Sequence, residues 1–230
     1  MGYLLLGLIA GLAAVERKGF LQAMLSRPIA LAPVAGWALG DAQGGLLLAP
    51  PLELLWLGSV NLGAALPAHE ALGTAAITGG AVLAGRAAGG VSPEVALLAV
   101  LICAPLALLG RKADRLVEIW NERLARRAEA ELAVGHVRAA VRTNVYGLAL
   151  PFAIAAVLAP IGAAVAAAII PAFLAALPGA ATPLRLGFVA FAGIACASGA
   201  KALRARQAPT FFYATFAAVL VLGVAAGRLP

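Results

Sequence analysis

Residues 40–67 read Gly-Asp-Ala-Gln-Gly-Gly-Leu-Leu-Leu-Ala-Pro-Pro-Leu-Glu-Leu-Leu-Trp-Leu-Gly-Ser-Val-Asn-Leu-Gly-Ala-Ala-Leu-Pro. The stretch is almost wholly apolar, yet it carries Asp41, Glu53 and Asn61. An ionised side chain at membrane depth costs about 2.5–3.5 kcal/mol on insertion scales, so one that is retained faces a cavity, a partner or a substrate. Prolines at 50, 51 and 67 are expected to cut the run into pieces. A helix between Pro51 and Pro67 would be about 24 Å long, against a hydrocarbon core of about 30 Å. That length suits a broken or re-entrant helix, the element at which transporters place their binding sites.

Composition sets the class around this stretch. Of 230 residues, 63% are hydrophobic and only 12% charged. A soluble domain carries about 25% charged residues, so the polar surface here is too small to coat a water-soluble globule. The expected fold is all-α: one polytopic integral membrane bundle over residues 1–230, with broken or re-entrant helices and one amphipathic surface helix. The net charge of +7 is gathered into short loops and one central segment, as in positive-inside topology signals. The cations form no stripe with interleaved aromatics, which argues against nucleic acid as a partner. Cys103 and Cys196 sit singly in apolar runs, without metal or redox spacing. The opening Met-Gly-Tyr brings no basic n-region, so the first apolar run reads as a retained membrane segment.

Along the chain, residues 2–15 include Gly7-x-x-x-Gly11, a close-packing pattern. If that helix continues, Glu16, Arg17 and Lys18 lie either near an interface or inside a protein-lined space. Pro28 suits a first helical turn, and Gly36, Gly40 and Gly44 recur every four residues. Ser92-Pro93 reads as a cap followed by a first helical position. Residues 111–143 change character, with eight basic and five acidic residues among Leu116, Ile119, Trp120, Leu124 and Leu132 at helical spacing. This segment is expected to be an amphipathic helix at the cytoplasmic surface, where its cations favour the inner leaflet. Residues 145–159 and 161–177 read as two proline-bounded apolar segments. Lys201, Arg204 and Arg206 form a second basic loop, and Phe211, Phe212, Tyr213 and Phe216 an aromatic belt.

No catalytic constellation is visible: there is no phosphate-binding loop, dinucleotide fingerprint, HExxH or GxSxG. The two histidines, His69 and His136, lack a surrounding motif and read as ordinary surface residues. No metal site, cofactor or catalytic residue is expected. Asp41, Glu53 and Asn61 are the candidate substrate-binding set. On one helix Glu53 and Asn61 would be rotated by roughly 80° and could border one cavity. Carboxylates accept hydrogen bonds from hydroxyls, and an amide both donates and accepts, which suits a neutral polyhydroxylated ligand better than an anion. The other role open to these groups is to cap helix ends or bond unwound backbone, and Asp41, beside a glycine-rich turn, is best placed for that.

Four runs carry a family resemblance: Ser26-Arg27-Pro28, Gly40-Asp41, Leu52-Glu53-Leu54-Leu55-Trp56-Leu57-Gly58 and Asn61-Leu62-Gly63-Ala64-Ala65. Ala208-Pro209-Thr210-Phe211-Phe212-Tyr213 adds to them, and Trp120-Asn121 less specifically. Together they resemble the IIC component of the mannose/fructose/sorbose family of bacterial sugar phosphotransferase systems. The resemblance implies a multi-pass inner-membrane permease subunit that carries a hexose. It implies a IID membrane subunit as partner in an oligomeric complex, and cytoplasmic IIA and IIB proteins that relay phosphate through their own histidines. It also implies sugar-binding roles for Asp41, Glu53 and Asn61. After Ala65 this chain reads Leu-Pro-Ala-His-Glu where the family more usually shows Pro-Asp, which bears on substrate identity. Two other classes fit the composition: an ion-coupled secondary transporter or channel with Glu53 as the ion site, and a non-transporting regulatory membrane subunit.

Overall fold

The computed structural model describes residues 1–58, 67–202, 209–210, 213–214, 217 and 221. Asn61, Arg204, Arg206, Phe211, Phe212 and Phe216 lie outside the described residues. Among the described residues the α-helices follow in this order: α1 (Gly2–Lys18), α2 (Pro28–Leu39), α3 (Ala42–Trp56), α4 (Glu70–Gly85), α5 (Pro93–Ala133), α6 (Val137–Tyr146), α7 (Ala149–Ala176) and α8 (Ala181–Ala202). Among the described residues there is no strand.

α4 is the axis. Of its residues, only Leu83 is not buried. Its sequence, EALGTAAITGGAVLAG, is dominated by small residues, and small side chains let membrane helices approach closely. α1, α2, α3, α5 and α7 all pack on it. At 16 residues α4 is about 24 Å long, shorter than the hydrocarbon core and sheathed by protein over its whole length.

α2 and α3 form a tight antiparallel pair joined at Gly40-Asp41. Gly40 closes α2 in the left-handed conformation with φ 93°. A Cβ on Gly36 would stand 2.6 Å from the Asp41 carbonyl oxygen and 2.8 Å from Gly45 Cα, so only glycine permits this approach. The Gly36/Gly40/Gly44 periodicity is therefore not one smooth helix face. Gly36 packs, Gly40 turns, and Gly44 belongs to the next helix. The prolines also act differently from the sequence expectation. Pro50 and Pro51 lie inside α3, which ends at Trp56 rather than starting at Pro51. With 12 and 15 residues, α2 and α3 reach about 18 and 22 Å, a re-entrant hairpin rather than two crossings.

α5 and α6–α7 form the second unit. Residues 111–133 are not a separate surface helix. They continue the apolar first half of α5 without a break, giving 41 residues and a length of about 62 Å, twice the hydrocarbon core. α6 and α7 run back antiparallel along it. Cys103 Sγ donates to the Gly162 carbonyl (3.4 Å), and Thr143 Oγ1 donates to Glu131 Oε2 (3.0 Å). α7 passes uninterrupted through Pro160 and Pro171, merging the two segments expected there. α8 is tied to α5 by a two-point Arg185–Glu94 ion pair, each contact 3.1 Å, and to α3 by Ser198 Oγ donating to the Leu55 carbonyl (3.0 Å). Residues 93–133, 137–176 and 178–202 are each long and apolar enough to cross a membrane.

α1 lies against α7, where a Cβ on Gly7 would meet the Ala156 carbonyl oxygen at 2.6 Å. The Gly7-x-x-x-Gly11 pattern thus does close-packing work. α1 extends to Lys18, so Glu16, Arg17 and Lys18 enter the protein rather than an interface. Glu16 is only 6% exposed.

The Gly36 contact is backbone on backbone and has little room to relax. Gly36→Leu is expected to destabilise the protein by about 1–3 kcal/mol, as overpacking does. Gly179→Ala, whose added methyl meets nothing within 4 Å, is expected to be neutral. Thermal unfolding in detergent measures both.

Candidate functional site

At one end of α4, three charged side chains from three segments converge. Arg27 sits at the N-terminal boundary of α2 because Pro28 starts the helix there. Its Nε donates to Glu53 Oε1 at 3.0 Å, and its Nη2 contacts the same oxygen. Its Nη1 reaches both oxygens of Glu70, at 3.4 and 3.2 Å. Glu53 Oε2 accepts the backbone N–H of Ile29 at 3.2 Å, one of the free donors of the first turn of α2. The side chains of Arg27, Glu53 and Glu70 are 23%, 18% and 10% exposed. One guanidinium thus serves two largely enclosed carboxylates, leaving the trio one negative charge in excess.

Beside it lies a second group. Asp114, with 2% of its side chain exposed, accepts Arg17 Nη1 at 2.8 Å and pairs with Lys18 Nζ at 3.1 Å. Glu16 Oε2 accepts the buried Ser26 N–H at 2.9 Å. These contacts resolve the open question over residues 16–18: the charges line a protein interior. His69 is not a surface residue. It is 3% exposed, donates its backbone N–H to the Ala107 carbonyl (2.9 Å), and caps α4 by accepting Leu72 N–H at Nδ1 (3.2 Å). An Nδ1 that accepts an amide proton carries none of its own, so the ring is neutral with its proton on Nε2.

Asp41 lies at the other end. It is the N-cap of α3, with Oδ1 accepting Gly44 N–H at 2.7 Å. Its Oδ2 accepts Val91 N–H at 2.9 Å, which ties the loop before α5 to the α2–α3 turn. A polar hollow of about 450 Å³ opens here, lined by Gly40, Asp41, Gln43, Arg86 and Gly90. That volume falls in the range of small-molecule sites. Asp41 and Glu53 are twelve residues apart along α3, about 18 Å by helical rise. The structure therefore does not bring them together, and one monosaccharide cannot touch both in this arrangement. Asn61 lies outside the described residues.

Arg27, Glu70, Arg17, Asp114 and His69 were not among the sequence-based candidates. The one available signal was Arg27, which stands inside a quoted motif. Its acceptors are 26 and 43 residues away, and no spacing rule connects them. Among the described residues, no group of His, Cys, Asp and Glu is arranged to hold a metal ion.

The chain is similar to known proteins in family, in sequence and in structure. A family model described as PTS system sorbose-specific IIC component matches residues 1–228. An Escherichia coli (strain K12) protein, provisionally named N-acetylgalactosamine permease IIC component 2, is 37% identical over 92 residues, 40% of this chain. The match takes in 65% of that relative's length, just under two thirds. In structure, the chain is similar to one described as a membrane protein, with a TM-score of 0.69, 22% identity and coverage of 98% and 92% of the two chains. It is also similar to a chain from the mannose transporter ManYZ in complex with microcin E492 (MceA), with a TM-score of 0.58, 23% identity and coverage of 98% and 91%. At these identities the solved structures speak to the fold, a helical membrane bundle.

The shared guanidinium suggests a charge-removal experiment. Arg27→Gln leaves Glu53 and Glu70 facing each other and is expected to cost about 2–4 kcal/mol, near the range for breaking an enclosed ion pair. Adding Glu53→Gln to that variant is expected to recover part of the loss. Thermal unfolding of both variants against the wild type checks the coupling.

Proposed function

This chain belongs to the sorbose-specific IIC component family of the phosphotransferase system, and from that membership we propose that it is the sugar-translocating subunit of a phosphoenolpyruvate-dependent complex. In this reading it binds a hexose of the mannose, fructose or sorbose class. It works with a IID membrane subunit, and cytoplasmic IIA and IIB proteins supply the phosphate. It carries no phosphohistidine of its own. Phosphorylation on the cytoplasmic side adds charge to the sugar and traps it.

The observation that carries this reading is the Arg27–Glu53–Glu70 trio at the end of a re-entrant hairpin, in a bundle whose core is mainly apolar. A carboxylate has about four acceptor positions, and Glu53 uses only some of them on Arg27 and Ile29. Sugar hydroxyls take the remainder, or replace Arg27 when it swings to Glu70 alone. Asn61, eight residues on in the chain, supplies the paired donor and acceptor. Asp41 belongs to the outer mouth, where the polar hollow admits the sugar.

Charge gives the orientation. The far half of the α5–α6 hairpin holds eight basic residues against five acids and is placed in the cytoplasm by the positive-inside bias. Along α5 the order is then the Asp41 hollow at its start, the charged groups near Ala107–Asp114, and the basic half beyond. Sugar enters at Asp41 and leaves past Glu53 and Glu70. The paired re-entrant helices, held to each other by glycine contacts, are the element that moves.

Uptake of labelled mannose, sorbose and N-acetylgalactosamine by cells that also express IIA, IIB and IID subunits tests the proposal. Uptake of at least one sugar is expected to require those subunits and to persist when the proton gradient is collapsed. Glu53→Gln is expected to lower it roughly tenfold or more, the scale of one charge-assisted hydrogen bond. Uptake without partners that collapses with the gradient would favour ion-coupled transport. A complex that binds none of the sugars would favour a regulatory subunit.

A further inference from the structure

α4 carries one ridge that the trio at one end and the hollow at the other do not explain. Glu70, Thr74, Thr78 and Val82 follow one another at four-residue intervals, with Arg86 just past the helix end, so each neighbours the next in a row that winds about 120° around the axis from Glu70 to Val82. Glu70 bonds Arg27, whereas Val82 and Arg86 line the hollow at Asp41. Between them, Thr74 and Thr78 are 0% exposed, and neither hydroxyl has a hydrogen-bond partner among the described residues. A helical threonine ordinarily satisfies itself on the carbonyl one turn back. These two do not, and each buried unsatisfied hydroxyl is costly to the fold. The neighbouring α3 adds to the imbalance. Pro50 and Pro51 have no N–H, so the carbonyls of Leu46 and Leu47 lose their regular helical donors.

We infer that Thr74 and Thr78 are hydroxyl-recognition stations on the path of the sugar, read in turn as it passes from the Asp41 hollow to the Glu53–Glu70 end. The inference rests on the proposed transport role. A hydroxyl donates and accepts at once, which matches a neutral polyol and offers little to a bare ion. The two threonines stand one turn apart, about 6 Å by helical rise, so a single ring can pass from one to the next. They are covered in this structure, and the path opens when the α2–α3 hairpin separates from α4. They would then help set which hexose is carried.

The test replaces each threonine by valine, which keeps the shape and removes the hydroxyl, and by serine, which keeps the hydroxyl. Uptake is measured in cells expressing the partner subunits, with mannose, sorbose and N-acetylgalactosamine and with the monodeoxy analogues of the sugar carried. Thr78→Val and Thr74→Val are expected to melt no lower than wild type, because an unsatisfied group has been removed. Each should raise the KM about three- to tenfold, the value of one neutral hydrogen bond. Each should also erase the preference for the parent sugar over one particular deoxy analogue, while the serine variants retain it. Valine variants with unchanged KM and unchanged discrimination would overturn the inference. So would valine variants that melt markedly lower, since the hydroxyls would then have a structural partner or an ordered water. A wild-type chain that takes up none of the sugars removes the transport reading, and the inference falls with it.

Discussion

One guanidinium between two carboxylates holds the polar end of this bundle together. Arg27 comes from the start of α2, Glu53 from α3 and Glu70 from the start of α4, so the trio pins the re-entrant hairpin to the central helix. Removing ions from water costs several kcal/mol each, and a replacement by apolar groups is often at least as stable. The trio is therefore a poor device for stability alone. In the proposed reading, its unused acceptor positions serve a hydroxyl-bearing guest. The same economy holds for Asp114, which takes two cations from the end of α1 and fixes that end against α5.

The rest of the fold permits this polar interior. α4 is too short to need lipid contact and is enclosed on all sides by helices that meet it through glycine and alanine. α2 and α3 are bound to each other at Gly36 and Gly45 and make few polar contacts with α4 beyond Arg27. Their polar ties to the rest of the bundle are few: Arg27 to Glu70, Arg86 to the Leu39 carbonyl, Val91 N–H to Asp41 and Ser198 to the Leu55 carbonyl, so a hairpin this tight within itself is suited to move as a unit. The long α5 and α6–α7 pair is the opposite kind of element. It is roughly twice the hydrocarbon thickness, laced across its length from Cys103–Gly162 to Glu131–Thr143, and suited to stay fixed.

Much of this was legible in the sequence, for definable reasons. Composition gave the membrane class, because no soluble surface can be built from so few charges. Capping chemistry placed the starts of α2 and α5 at Pro28 and Pro93, and it anticipated that Asp41 caps a helix. The misreadings have a common cause. Pro50, Pro51, Pro160 and Pro171 were expected to break helices, but tertiary packing carries α3 and α7 through them. The change from apolar to charged at Arg111 reads as an end, yet nothing there interrupts a helix, and α5 continues. Of the candidate site, only the presence of its carboxylates was legible. Glu53 and Asp41 stood out as carboxylates in apolar surroundings. Their separation by the length of α3, the burial of His69 and the convergence of Arg27 on Glu70 arise only from the three-dimensional path.

The central claim is that the enclosed acidic end of the α2–α3 hairpin exists to hold a sugar. The most direct measurement is a structure of the chain with the proposed IID partner, determined in the presence of each sugar that the uptake assay identifies. The expected result is sugar density within hydrogen-bond distance of Glu53 and against the α4 ridge, with the Arg27 contact to Glu53 loosened. Sugar density elsewhere, with Glu53 still held by Arg27 and Ile29 as it is here, would contradict it.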